Sequence, residues 1–397
     1  MVALVTLATL LVAGLASLFM AWAIGAGSSG STPFAPAVGA NAISVMRAGF
    51  VVGLLGFAGA ALQGANVTQA VGTELVRGVA ISPVAAIVGL VTAAVLVAVG
   101  VFAGYPIATA FTVTGAVVGV GLALGGDPAW AKYRQIVSLW VLAPFVGGGI
   151  SYVTARLLRA DDVPEPVLVP ALGGLVAALV ANIHFAVLGG ADAPDTIAGA
   201  VGVRLGLPAV ASVDAGVVLA TLAFAGVGVG LLAWDMRRDP TAGQRHFLLT
   251  LGALVAFSAG GSQVGLAIGP LVPLLDAVSI PLWAVLVGGG LGLLAGSWTG
   301  APRMIKALSQ DYSSLGPRRS IAALIPSFAI AQAAVALGVP VSFNEIIVSG
   351  IIGSGYAAGG SGVSRRKMLY TVLAWVGSLV LAFVAAYGAF AVVDALV

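Results

Sequence analysis

Long apolar runs alternate with short polar breaks from one end of this 397-residue chain to the other. About 20 apolar residues let a helix cross a bilayer, and a broken or re-entrant helix needs fewer. On that rule the pattern predicts helices near 2–24, 46–63, 80–102, 106–124, 134–157, 167–188, 211–233, 246–259, 280–298, 320–338, 341–358 and 367–390. The expected fold class is therefore all-α and polytopic, with about twelve transmembrane helices. Residues 1–23 end in an Ala-Trp-Ala that mimics a cleavage site. They lack a basic start and their apolar run exceeds the roughly 7–15 residues of a signal core, so they read as a retained first span. The polar breaks at 159–166 and 234–240 read as charged linkers, 189–208 as a longer connection and 309–320 as a compact basic loop.

Two stretches interrupt this pattern in comparable places. One is 257–271 (FSAGGSQVGLAIGPL), where Gly260, Gly261, Ser262, Gln263, Gly265 and Gly269-Pro270 predict that an apolar helix breaks. The other is 25–44 (GAGSSGSTPFAPAVGANAIS), directly after the first span. Freed backbone groups inside hydrocarbon are tolerated only where they line a cavity or are buried in protein. Paired interruptions of this kind are a sequence pointer to a transporter's binding site at midplane.

Other segments repeat as well. Tyr105-Pro106 parallels Val339-Pro340, the segment 64–71 parallels 300–307, and Trp140 parallels Trp375, at spacings of about 235 residues. Seven spans separate the starts of the two copies, an odd number, so the second copy is expected to thread the membrane upside down. The expected organisation is a first inverted repeat at 1–157, a linking segment with two transmembrane helices at 158–245 and a second inverted repeat at 246–397.

Composition confirms the class and removes others. The chain is 60% hydrophobic and 8% charged, with mean hydropathy +1.12. A soluble domain carries about 25% charged residues. The pI near 9.4 does not indicate a nucleic-acid partner, because the cations sit in short loops between apolar spans. With no cysteine, two distant histidines, no phosphate loop and no nucleophile triad, no cofactor is expected and an enzyme is not indicated. Threading twelve spans with the N-terminus outside places thirteen Lys and Arg in inner loops and four (Arg77, Lys132, Arg134, Arg204) in outer ones. The positive-inside rule thus puts both termini outside the cell membrane.

At these residues the chain resembles the inorganic phosphate transporter (PiT) family over nearly its whole length. The second half carries the resemblance in Ala267-Ile268-Gly269-Pro270-Leu271, Ile280-Pro281-Leu282-Trp283, Gly300-Ala301-Pro302-Arg303 and Gly338-Val339-Pro340-Val341-Ser342; the first half carries it in Ile24-Gly25-Ala26, Gly59-Ala60, Gly64 and Pro106. The resemblance implies a twelve-helix inverted-repeat carrier, often a homodimer, moving phosphate with Na⁺ or H⁺. The family's GANDVANA motif reads here Gly260-Gly261-Ser262-Gln263-Val264-Gly265-Leu266-Ala267, so Gln263 takes the aspartate position, and 25–32 holds no acid. In the family's PVSTTH-like segment Glu345 takes the histidine position. These departures favour H⁺ over Na⁺ as the coupling ion. They also keep open a permease for sulfate or another oxyanion, and a non-transporting membrane sensor or assembly protein.

A buried oxyanion needs donors. Half-helix N-termini supply N–H groups and a positive dipole end, and hydroxyls add adaptable donors. The candidate substrate-binding residues are Ser28, Ser29, Ser31, Thr32, Thr109, Thr112, Ser262, Gln263, Ser342 and Asn344, each of which could instead serve only close helix packing. Glu345, an acid in an apolar context, is the candidate ion-coupling residue. Glu74 and Asp276 read as interfacial, and His184 as a packing residue inside the sixth span.

Overall fold

The computed structural model describes residues 2–185, 194–207, 209–210, 213–359 and 363–396. The first half runs α1 (Val2–Ile24), a wide π turn (Gly25–Ser29), α2 (Ala35–Gly39), α3 (Val45–Gln63), α4 (Ala65–Thr73), α5 (Pro83–Ala103), α6 (Thr109–Ala123) and α7 (Trp130–Leu157). Then come α8 (Glu165–Ala181), α9 (Ile197–Leu205) and α10 (Ala215–Arg238). The second half runs α11 (Pro240–Ile268), a 3-10 turn (Gly269–Leu271), α12 (Val272–Val278), α13 (Leu282–Thr299), α14 (Ala301–Gln310), α15 (Pro317–Ala336), α16 (Phe343–Tyr356) and α17 (Arg365–Leu396). Two-residue strand pairs join Val76–Arg77 to Asp127–Pro128 and Ala209–Val210 to Val213–Asp214.

Every predicted span has a helix at its place, yet among the described residues only nine are long and apolar enough to cross a membrane. Three of the twelve are short. Of these, α6 and α16 have 15 and 14 residues, about 21–23 Å at 1.5 Å per residue, against a hydrocarbon core of about 30 Å. They are half-helices, and their starts have a local cause. The helix before each ends at a glycine with left-handed backbone, Gly104 at φ 73° and Gly338 at φ 58°. Pro106 and Pro340 then hold the chain extended until the next helix begins.

The structure corrects four expectations. α11 passes unbroken through Gly260, Gly261, Ser262, Gln263 and Gly265, and only the 3-10 turn at Gly269–Leu271 interrupts it. Those glycines thin the helix instead of ending it. A Cβ on Gly260 would overlap the Gly56 carbonyl of α3, and one on Gly59 would overlap the Phe257 carbonyl of α11. The same exchange joins α1 and α13, where Gly25 abuts Leu293 O and Gly296 abuts Trp22 O. In the first half the break is real, because the π turn gives way to non-helical residues 30–34.

The expected linker at 234–240 shrinks to Asp239. Its Oδ1 accepts from the Thr241 and Ala242 N–H groups at 2.9 and 3.1 Å, and Pro240 opens α11. An N-cap acid followed by proline starts a helix more readily than it makes a loop. The basic loop likewise narrows to 311–316, since α14 continues to Gln310 and α15 starts at Pro317. His184 lies beyond the end of α8, half-exposed and 2.6 Å from Asp195, so it is not a packing residue within a span. Glu74, half-exposed, pairs with Lys132 at 2.8 Å. The side chain of Asp276 and parts of 167–188, 189–208 and 211–233 lie outside the described residues.

Packing is reciprocal between the halves. α3 lies against α11 and α13 against α1, α7 packs on α16 and α17 on α6. Together with α5 and α15 these helices enclose the core. α8, α9 and α10 pack mainly on each other and touch the core along α11. Gly260→Ala should lower thermal stability by about 1–3 kcal/mol, the usual cost of overpacking. Gly288→Ala, where a Cβ meets nothing within 4 Å, should leave the melting temperature of the detergent-solubilised protein unchanged or slightly raised.

Candidate functional site

The starts of both half-helices, the π turn after α1 and the middle of α11 meet at one place. Thr109, the first residue of α6, donates its hydroxyl to Gln263 Oε1 at 2.7 Å and lies 3.4 Å from Ser28 Oγ. The Gln263 amide in turn donates to Val341 O at 2.6 Å, just before α16. Asn344, in the first turn of α16, donates through Nδ2 to Gly27 O at 3.0 Å and Ile107 O at 2.6 Å. Four chain segments far apart in sequence are thus joined by short hydrogen bonds. Ser28, Thr109, Gln263, Ser342 and Asn344 are fully buried.

Two indoles hold the half-helices in position, each from the opposite half of the chain. Trp140 of α7 donates to Pro340 O, and Trp375 of α17 donates to Pro106 O, both at 2.8 Å. Proline makes these carbonyls available by stopping the helix that would have used them. The Trp140 ring also stacks on Phe111 of α6 at 3.8 Å between centroids.

The candidate residues divide by what their polar atoms do. Ser31 and Thr32 both donate to Ser28 O, at 3.2 and 3.0 Å, and Thr112 donates to Ala108 O at 3.0 Å. Their hydroxyl protons are spent on the local backbone, and these residues shape the turn. By contrast, the hydroxyls of Ser29, Ser262 and Ser342 and the Asn344 Oδ1 are buried with no hydrogen-bond partner among the described residues. Such groups are rare in native proteins and call for an explanation. Ser342 and Asn344 lie at the start of α16, and Ser29 and Ser262 adjoin Ser28 and Gln263, which meet Thr109 at the start of α6. The leading N–H groups of both half-helices have no intrahelical acceptors and carry the positive dipole end. The three hydroxyls offer hydrogen-bond donors without any fixed charge, while the Asn344 Oδ1 beside them is an acceptor.

Glu345 is 2% exposed and follows Asn344, but it belongs to a different environment. Its Oε2 has no partner among the described residues, and the residue lines a cavity between α7, α16 and α17. Sequence reasoning missed two features. One is the carbonyl set of Gly27, Ile107 and Val341, invisible because backbone acceptors carry no residue signature. The other is the chain Gln63–Gln332–Ser258, in which Gln332 Nε2 donates to Ser258 Oγ at 2.6 Å and to Gln63 Oε1 at 3.2 Å. A glutamine in each of two apolar spans was the available signal. No group of three or more metal-ligating side chains occurs among the described residues.

The chain is similar to known proteins. Residues 24–386 match the model of the phosphate transporter family. An inorganic phosphate transporter of Arabidopsis thaliana chloroplasts is 26% identical over 410 residues, covering 90% of this chain and 67% of its own. A Thermococcus kodakarensis protein provisionally named a phosphate permease is 25% identical over 380 residues, covering 90% of each. A solved structure titled the sodium-dependent phosphate transporter superposes with a TM-score of 0.81 at 22% identity, over 98% of this chain and all of that one, and so shares its fold. On this match, and with a helical membrane fold to go with it, the chain belongs to the phosphate transporter family.

Proposed function

We propose that this protein carries inorganic phosphate across a cell membrane by alternating access, driven by protons. The observation that carries the reading is the trio of buried, partnerless serine hydroxyls at Ser29, Ser262 and Ser342 beside two half-helix N-termini. An oxyanion supplies the acceptors these donors lack, and its charge meets two positive dipole ends. Phosphate is preferred to other tetrahedral anions because family membership and the named relatives agree on it. The reciprocal packing and the crossed tryptophans support two inverted repeats, 1–157 and 246–397, that rock about this site.

The choice of protons over Na⁺ rests on the amides. Gly27 O, Ile107 O and Val341 O are the kind of oxygen set that coordinates an alkali cation, but Asn344 Nδ2 and Gln263 Nε2 already donate to all three. No carboxylate stands among them. Glu345, the only buried acid of the half-helix pair, has no cation beside it, and a proton is the counter-charge it can take without one.

Three outcomes test the reading. Purified protein in liposomes should take up radiolabelled phosphate in response to an inward proton gradient and not to a Na⁺ gradient at constant pH. Uptake of radiolabelled sulfate that excess phosphate does not inhibit, with no phosphate uptake, would reassign the substrate. Ser342→Ala should reduce phosphate uptake about ten- to a hundredfold, the worth of one hydrogen bond to an anion, while the melting temperature holds or rises, because the hydroxyl has no partner to lose among the described residues. Glu345→Gln should abolish the response to the proton gradient; a full response in that variant would remove Glu345 from coupling.

A further inference from the structure

Behind the half-helices, α7, α16 and α17 enclose a cavity of about 830 Å³. Its walls are almost wholly apolar, among them Phe111, Val348, Ile352 and Leu379. The polar groups on the wall are accounted for one by one. The indole N–H groups of Trp140 and Trp375 serve Pro340 O and Pro106 O. The Thr371 hydroxyl is bonded to Tyr312 Oη at 2.7 Å, and that of Ser349 donates to Glu345 O at 2.7 Å. What remains is the hydroxyl of Tyr356, a residue 37% exposed, and the Glu345 carboxyl, whose Oε2 is buried and without a partner among the described residues.

The mouth of the cavity is formed by side chains on the outer faces of α7 and α17. Phe145 is 76% exposed, and Val141, Leu369 and Val376 are more than half exposed. In a membrane protein such a rim faces hydrocarbon, so the route in is from the bilayer. No cation lines the cavity, which excludes an anionic guest. An ammonium would bring a full charge among walls that are otherwise almost wholly apolar, at a desolvation cost. A hydroxyl brings one donor, and an aliphatic tail matches the remaining surface.

We infer that this cavity is a binding site for an uncharged long-chain alcohol or similar hydroxyl-bearing amphiphile, entering from the lipid side and anchored by its hydroxyl on Glu345. The site shares Glu345 with the proposed coupling role but none of the proposed phosphate-binding residues. Binding there is read by labelling, so it is testable whether or not the protein moves phosphate.

The probe is an aliphatic diazirine alkanol, photolysed with the full-length protein in phosphatidylcholine vesicles and mapped by peptide mass spectrometry. Label is expected on Glu345 and the cavity walls, and unlabelled 1-octanol should compete it away. Glu345→Leu should weaken octanol competition at the remaining wall positions about tenfold, the worth of one hydrogen bond. Gly149→Leu places a side chain where a Cβ meets nothing within 4 Å on the cavity lining, and should abolish wall labelling while the melting temperature is kept. A diazirine alkane of equal length should label without enrichment at Glu345. Label spread over α7 and α17 in proportion to exposure, or indifferent to octanol, would overturn the assignment. So would a protected cavity in wild-type protein, the result expected if a second copy of the chain covers it.

Discussion

A backbone carbonyl or N–H left unpaired in hydrocarbon costs several kcal/mol, and this fold opens its backbone in the middle of the membrane twice. Everything at the centre answers that cost. Proline ends each helix and leaves a carbonyl free, and an indole from the other half of the chain takes it up. The next carbonyls along, Ile107 O and Val341 O, are taken by the Asn344 and Gln263 amides. What stays unpaired is chiefly the donor side, helix N-termini and serine hydroxyls that an anion can satisfy, with the Asn344 Oδ1 as an acceptor beside them.

The absence of acids at this centre changes its electrostatics. A carboxylate there would oppose an anion unless a bound cation cancelled it. Amide donors perform the same bonding to carbonyls with no net charge, so the site's potential is set by dipoles alone. Neutral bonds between segments are also less sensitive to dielectric than ion pairs, which matters for a site that must be wet on one side and then on the other.

Much of this could be read along the chain, and the limits have physical causes. The places of α6 and α16 were legible, but both were read as ordinary spans; the local signal of their shortness lay in Gly104, Pro106, Gly338 and Pro340, which impose their dihedrals wherever they sit. The glycines of α11 were misread because a glycine-rich run permits a break without requiring one. There the outcome depends on a neighbour, the α3 backbone pressed against Gly260, which no local pattern records. The linker before α11 was misread for a related reason, since Asp239-Pro240 can make a turn or a helix start, and the packing of α10 against α11 decides. Of the ten candidate substrate residues, sequence chemistry identified the donor types, but Ser31, Thr32 and Thr112 spend their donors within a turn of themselves. Glu345 was recognised as unusual from its neighbours; that it lines a cavity between α7 and α17 is a matter of helix phase.

The crossed indoles have a bearing on biosynthesis. Pro106 O receives its N–H from Trp375, 269 residues later, so no group of the first half pairs that carbonyl, although the loop has local bonds such as Tyr105 N–H to Gly100 O. A ribosome must complete nearly the whole chain before the earlier opening in the backbone is closed. Until then the nascent first half carries unpaired polar groups in lipid and depends on water or an insertase to shield them. Closure over such a sequence distance is slow, and truncation anywhere short of α17 should leave an insertion intermediate and no stable fragment.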